Sequence, residues 1–357
     1  MVDVTQAAHG SVPAQHAQHA HHPRRRLVLR VVVVGAAVLF VVVNRSELPV
    51  AWRSLKEATF AWLAVSFGVC LLIVVNHAAL QHRAQLMLGV RRPFRRTVRL
   101  SLACHFLNMI TKSGGMAGVA PYNADARRHG LSVHRSTAGY LLGELANHLG
   151  FTVVLIAVVP VIAGDGKLSA VDLVAMGVFA VITIVFLAGV FAAAKSKESI
   201  RRLHALPNRV RNAMLRRMNR PLHPETTDHH AADDLHEAVT EARGHVRGMV
   251  PLAAHALAHQ VAGAALLWAV LRSMGLEHDM HAVIVSYVIA TLFSIVGFLP
   301  AGLGFVEVSM AATLVSYGLS AGESAAAVGV YRLFQLWLPL AFGAVALRKR
   351  PARHAAP

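Results

Sequence analysis

Residues 281–317 read HAVIVSYVIATLFSIVGFLPAGLGFVEVSMAATLVSY, an apolar run that is interrupted in its middle by Pro300, Gly302 and Gly304. Irregular backbone is tolerated at membrane depth only where protein or a water-filled cavity covers it. The run therefore predicts a hairpin, either re-entrant or made of two closely paired short helices. A second interrupted stretch, 100–122, predicts another hairpin; its breakers are Gly114, Gly115, Gly118 and Pro121.

Six further apolar runs surround these two stretches without interruption. A helix needs about 20 apolar residues to cross a hydrocarbon core of about 30 Å, and each of these runs approaches or exceeds that length. The six predicted spans are 27–43, 60–80, 137–163, 170–194, 250–271 and 322–347. The predicted fold class is all-α: a polytopic α-helical membrane protein of about six spans plus two re-entrant hairpins broken by glycine and proline, in an inverted repeat.

The composition supports a membrane location over a soluble one. Of the 357 residues, 55% are hydrophobic and 15% are charged, whereas soluble domains carry about 25% charged residues. The net charge of +17 is concentrated in blocks between the spans, which argues against a nucleic-acid-binding face. Because basic loops face the cytoplasm, we expect a multi-pass protein of the cell (inner) membrane with both termini cytoplasmic. The basic blocks are 24–26, 91–99, 201–220 and 348–353.

An inverted repeat is indicated by the order of the spans. The unit span–hairpin–span occurs as 60–163 and as 250–347, and the basic loops give the two units opposite orientations. Gly130-Leu131-Ser132 precedes the last span of the first unit, and Gly318-Leu319-Ser320 precedes that of the second. In the same frame Glu144 aligns with Arg332.

Three parts of the chain are predicted to lie outside the membrane. Residues 1–26 form a disordered, His-rich cytoplasmic tail, and 351–357 form a second tail; the membrane domain is 27–350. The cytoplasmic loop 195–249 begins basic and then turns acidic. Its segment 198–220 has the pattern of a helix lying on an anionic leaflet, and a solvated regulatory loop is the alternative.

Ionisable residues inside apolar spans mark candidate functional sites. We hypothesise that Glu144 and Arg332 face each other across a pseudo-twofold axis and line a polar cavity. Arg332 would bind a lipid phosphate through two hydrogen bonds, while Glu144 and Glu307 would attract an aminoacyl or other cationic headgroup. The alternative is a buried ion pair that fixes helix packing.

The two hairpins supply further candidates for headgroup contact. Main-chain N–H groups exposed at glycine can bind an anion, which indicates Gly114, Gly115, Gly302 and Gly304. Lys112 lies at the tip of the first hairpin, and Asn108 is placed to hydrogen-bond the broken backbone beside it. The alternative is that these glycines serve close helix packing.

Histidines suggest a proton relay. His255 and His259 lie one turn apart on one helix face, and His148 lies one turn beyond Glu144. Packing or cavity lining is the alternative. Two histidines lack the further ligand that zinc needs, and there is no HExxH pattern. We therefore predict neither a metal nor a cofactor. No motif singles out a catalytic nucleophile, so no enzyme activity is predicted.

The second hairpin resembles a known family. Residues 298–307, FLPAGLGFVE, resemble the proline–glycine–glycine–glutamate element of the lysylphosphatidylglycerol synthase transmembrane-region family, also described as flippase-like membrane proteins. Tyr331-Arg332-Leu333 and Trp337-Leu338-Pro339 match its last span. The first half is similar through Asn108, Gly114, Gly115 and Gly118. It departs where Lys112 or Ser113 replaces a common proline, and where Leu145 and His148 replace a common arginine and acid.

The resemblance implies a membrane domain that moves or holds a lipid. Some members are joined to a soluble aminoacyltransferase that makes lysyl-phosphatidylglycerol, and this sequence has no segment long enough for one. We expect a flippase-like transporter of an anionic or aminoacylated phospholipid, whose partners are lipid headgroups. The alternatives are handling of a polyprenyl-phosphate-linked glycolipid, or a non-transporting scaffold that recruits a lipid-modifying enzyme through 195–249.

Overall fold

The computed structural model describes a large part of the chain, in six segments: residues 56, 58–111, 116–167, 169–195, 246–297 and 299–347. The first predicted span, 27–43, lies outside these residues, as do both predicted tails. Most of the 195–249 loop, including 198–220, is outside them as well.

Helices make up most of the described chain, and no strand occurs within those residues. The helices are α1 Phe60–Met87, α2 Phe94–Thr111, α3 Val119–Arg128, α4 Val133–Gly164, α5 Ala170–Lys195, α6 Val246–Ser273, α7 Met280–Val296, α8 Phe305–Ser316, α9 Ala321–Arg332 and α10 Leu338–Leu347. Short 3₁₀ turns at Met116–Gly118 and Pro300–Gly302, and a π-helical turn at Leu333–Trp337, connect some of them.

Within the described residues, five helices are long and apolar enough to cross a membrane, counting α9 to α10 as one. They correspond to the predicted spans other than 27–43, so the fold class is confirmed for the described residues. The predicted boundary at residue 80 was too early, since α1 continues to Met87. Polar residues continue this helix because their side chains have partners inside the protein: Gln81 donates to Glu144 and Gln85 to the carbonyl of Ser136.

The last span is not a uniform α-helix. Its π-helical turn begins directly after Arg332, and Pro339 lies two residues beyond the end of that turn. Proline has no N–H to donate to the carbonyl of Gln335, four residues earlier. A π turn is one way in which a helix accommodates such a missing hydrogen bond, and such turns are frequent at functional sites.

Both interrupted stretches form helix–break–helix hairpins, α2–α3 and α7–α8. In the second, the break has left-handed backbone at Ala301, Gly302 and Gly304, with φ values of 57°, 64° and 83°. Gly302 lies directly on α7, because a Cβ there would approach the Cα of Ser294 to 2.9 Å. Only glycine satisfies both the φ angle and the close approach.

Helices α1 and α6 open the two repeat units, and they pack antiparallel along their length. The amide of Thr59, before α1, donates to the carbonyl of Ser273 at the end of α6. At the other end of the pair, Leu80 and Ala84 pack on Leu252. Equivalent helices that run in opposite directions are what an inverted repeat requires.

The described loops lie at two ends of the helices, and the two ends differ in charge. Arginines 91, 95, 99, 127 and 128 lie at the ends of α2 and α3, which we call the basic end. There the buried Arg92 donates to Asp125 at 2.8 Å and to Ser136 at 2.7 Å, and so joins α3 to α4. At the opposite end, Asp165 accepts a hydrogen bond from Tyr317.

Candidate functional site

A cavity of about 570 Å³ lies where the two hairpins approach each other between the repeat units. Asn108 on α2 and Ala301 in the second break both line it. Glu144 and Arg332 also line it, so the two residues that the repeat aligns do share one cavity. The broken backbone thus borders a cavity lined by protein. This meets the condition under which irregular backbone is tolerated at membrane depth.

The guanidinium group of Arg332 is hydrogen-bonded to the second break and to residues beside it. Its side chain is buried, and its Nε donates to Glu307 Oε1 at 2.7 Å. Its two terminal nitrogens donate to Gln335 Oε1 at 3.0 Å and to the carbonyl of Ala301 at 2.9 Å. Glu307 Oε2 in turn accepts from the amide of Gly304 at 2.7 Å. The ion pair and its hydrogen bonds therefore fasten the irregular backbone to the last span.

Glu144 has different partners from those of Arg332. Its Oε1 accepts from Gln81 Nε2 at 2.9 Å and lies 3.7 Å from His77 Nε2. Within the described chain, no arginine or lysine lies within ion-pair distance of this carboxylate. The two residues therefore line one cavity without forming an ion pair with each other.

Asn108 holds the first break together with two neighbours. Its Oδ1 accepts from the amide of Gly118 at 2.8 Å, and its Nδ2 donates to Tyr140 Oη at 2.8 Å. The thiol of Cys104 donates to the carbonyl of Gly118 at 2.8 Å. Uncharged groups therefore satisfy both the amide and the carbonyl of Gly118.

The predicted histidines do not form one group. His148 lines the cavity, where its Nε2 is 2.9 Å from Thr183 Oγ1. His259 also lines it, but His255 lies aside, with its Nδ1 2.7 Å from Asn76 Oδ1. No set of three potential metal-ligating side chains is arranged to hold an ion among the residues that the structure covers.

Two cavity histidines were missed by the sequence reasoning. His77 on α1 and His105 on α2 both line the cavity beside Glu144 and His259. The available signal was that each lies in an apolar stretch, where ionisable groups are costly. Of the predicted hairpin residues, Gly302 and Gly304 lie in the second break, whereas Lys112, Gly114 and Gly115 are outside the described residues.

Comparison with known proteins assigns most of the chain to one family. The profile of a family described as "Lysylphosphatidylglycerol synthase TM region" matches residues 27–343. A UPF0104 membrane protein of Methanothermobacter thermautotrophicus is 34% identical over 79 residues. That alignment spans 22% of this chain and 24% of the relative's length. The profile match covers both repeat units and confirms the resemblance seen in the second hairpin.

Proposed function

The chain belongs to the family of the lysylphosphatidylglycerol synthase TM region, and we propose that it is a flippase-like lipid transporter. Its cargo is an anionic or aminoacylated phospholipid of the cytoplasmic membrane. The basic end faces the cytoplasm, in accordance with the positive-inside rule. The protein itself performs no synthesis.

The observation that carries this proposal is the cavity between the two repeat units. Its volume of about 570 Å³ falls in the range of about 300–1,000 Å³ typical of small-molecule sites. A phospholipid headgroup fits such a space, while its acyl chains remain in the bilayer. Polar side chains from both units line the cavity, including Glu144 and Gln260.

The architecture supports movement as well as binding. Broken helices that meet near the midplane of an inverted repeat are a recurring plan of transporters. In that plan one unit rocks against the other, and the central site becomes open to each side in turn. The antiparallel contact of α1 with α6 is the natural surface for such motion.

The scaffold alternative depends on the 195–249 loop, of which the structure describes only the two ends. Deleting 203–240 separates the two functions. A transporter keeps its lipid movement without the loop, whereas a scaffold loses its recruited enzyme.

Lipid movement is tested with purified protein in liposomes that contain fluorescent phosphatidylglycerol or fluorescent lysyl-phosphatidylglycerol. Dithionite bleaches only the outer leaflet, so bleaching beyond the plateau of protein-free liposomes reports transfer between leaflets. We expect this for at least one of the two lipids. Plateaus equal to those of protein-free liposomes for both lipids, with and without an imposed ion gradient, would contradict the proposal.

A matched pair of variants tests whether the cavity is the route. Ile182 lines the cavity and is 39% exposed, whereas Ile184 on the same helix is not among the lining residues and is 64% exposed. Ile182→Trp fills the cavity and is expected to reduce transfer at least about tenfold, which corresponds to about 1.4 kcal/mol. Ile184→Trp points toward lipid and should leave transfer unchanged. Equal effects of the two variants would exclude this cavity as the route.

A further inference from the structure

The charges of the cavity do not balance within the described protein. Arg332 and Glu307 neutralise each other, and all three guanidinium nitrogens of Arg332 donate to protein oxygens. Glu144 remains; its carboxylate is hydrogen-bonded by the amide of Gln81 and by the hydroxyl of Tyr140, both neutral, and the imidazole of His77 lies beside it. A carboxylate at membrane depth is costly unless a proton or a cation neutralises it.

Polar atoms beside Glu144 also lack partners. His105 Nε2 and His259 Nδ1 are buried and have no hydrogen-bond partner in the described part of the protein. The ring centroids of His77 and His259 are 5.6 Å apart, so the His259 ring lies beside the histidine that neighbours Glu144. Buried polar atoms are almost always hydrogen-bonded in native proteins. The hydrogen-bonding capacity of these two nitrogens is therefore available to a polar ligand in the cavity.

Most other titratable side chains of the cavity already have hydrogen-bond partners. Tyr287 on α7 donates a hydrogen bond to Gln260 at 2.7 Å, and His148 on α4 is hydrogen-bonded to Thr183. The thiols of Cys70 and Cys104 donate to backbone carbonyls. Tyr331 on α9 lies beside the paired Arg332. Glu144 with His77, His105 and His259 is thus the group of side chains with capacity for a further partner.

We propose that Glu144 is an exchange site, occupied alternately by a proton and by the primary ammonium group of a lipid headgroup. This inference rests on the proposed function and narrows its cargo to an amine-bearing lipid. The ammonium group donates one hydrogen bond to the carboxylate and others to the imidazole nitrogens of His105 and His259. A phosphate in the same place would meet the carboxylate of Glu144 and would find Arg332 already bonded.

The exchange conserves charge and atoms. The empty site holds a neutral carboxylic acid, and the occupied site holds a carboxylate paired with an ammonium ion. When the ammonium enters, the O–H bond of Glu144 breaks and one proton leaves to water. The site is neutral in both states, so neither state leaves an isolated charge in the cavity. A proton gradient would consequently drive the amine-bearing lipid in the opposite direction.

The test measures proton release at equilibrium, without any lipid movement. Purified protein in weakly buffered detergent is mixed with lysyl-phosphatidylglycerol, and a pH indicator follows the protons released. The matched probe is the same lipid with both amines acetylated, which keeps the phosphate and the bulk. We expect about one proton per chain from the first lipid, since a single carboxyl group exchanges, and none from the second.

Two variants assign the release to its residue. Glu144→Gln is expected to abolish it, whereas Glu277→Gln, which alters an exposed carboxylate paired with Arg272, should release protons as the wild type does. Infrared difference spectra of the wild type give a measurement that needs no variant. The carbonyl band of a protonated carboxylic acid should disappear when lysyl-phosphatidylglycerol binds.

Equal release with the acetylated lipid, unchanged release in Glu144→Gln, or binding of lysyl-phosphatidylglycerol without loss of the infrared band would each overturn the exchange site. None of these results depends on transfer between leaflets, so they are distinct from a failure of the dithionite assay, which would contradict the proposed function itself.

Discussion

The irregular backbone of the two hairpins is hydrogen-bonded by chemically different groups. In the first, Asn108 and Cys104 hold Gly118 through neutral hydrogen bonds. In the second, the ion pair of Arg332 and Glu307 holds the backbone on both sides of Gly302. Both arrangements satisfy backbone groups at membrane depth. The first joins Gly118 to α2, the helix before the break, whereas the second joins the break to α8 and α9, which follow it.

The difference determines the electrostatics of the cavity. The ion pair of Arg332 and Glu307, which we call the charged clamp, contains one cation and one anion. The second break therefore contributes no net charge. The hydrogen bonds of Asn108 and Cys104, which we call the neutral clamp, supply no cation. The nearby carboxylate of Glu144 therefore has no cationic partner among the described residues. The carboxylate that remains available to a ligand is therefore that of Glu144, in the first repeat unit.

The largest effect is expected from breaking the charged clamp. Arg332→Gln leaves the carboxylate of Glu307 unpaired in the protein, and loss of one member of a buried ion pair costs about 3–5 kcal/mol. The free energy of unfolding in mixed micelles measures this. Arg272→Gln removes an ion pair with an exposed partner, Glu277, and should cost at most about 1 kcal/mol. Similar losses in both variants would show that the clamp does not stabilise the break.

An intermediate effect is expected at the glycine of the second break. Gly302 and Gly130 have nearly equal positive φ angles, 64° and 65°, but only Gly302 has neighbours within reach of a Cβ. Alanine at either position adds backbone strain of about 1–2 kcal/mol. At Gly302 the contact with Ser294 adds about 1–3 kcal/mol. Equal unfolding free energies for the two alanine variants would contradict the close approach.

The smallest of the three effects is expected at the neutral clamp. Asn108→Ala leaves the amide of Gly118 without its acceptor, which costs about 1–3 kcal/mol. Asn123→Ala is the control, because that side chain accepts a hydrogen bond from Thr137 and none from the backbone of the break. If Asn108→Ala were as costly as Arg332→Gln, the distinction between a neutral and a charged clamp would not hold.

Hydropathy was sufficient to predict most of the described architecture. The runs of apolar residues gave five spans, and Pro300, Gly302 and Gly304 located the second break. The end of α1 was predicted too early because the apolar run ends at residue 80, and the polar residues Gln81 and Gln85 follow it. Their burial depends on partners in α4, which lies more than fifty residues away in sequence.

The side-chain pairing inside the cavity was less accessible. The repeat aligned Glu144 with Arg332, and both line one cavity, but the partner of Arg332 is Glu307, on the helix before it. Nothing in local spacing distinguishes these two carboxylates. The cluster of His77, His105 and His259 comes from three helices, so no motif in the sequence could reveal it.

Entry of a lipid headgroup into the cavity is the central claim, and photo-crosslinking tests it most directly. A phospholipid with a photoreactive group on its headgroup is activated in proteoliposomes, and the labelled residues are mapped by mass spectrometry. The account predicts labels on residues that line the cavity, such as Met109, Asn147 and Phe186, and their loss in Ile182→Trp. Labels confined to outward-facing residues such as Ile156 and Ile184 would contradict it.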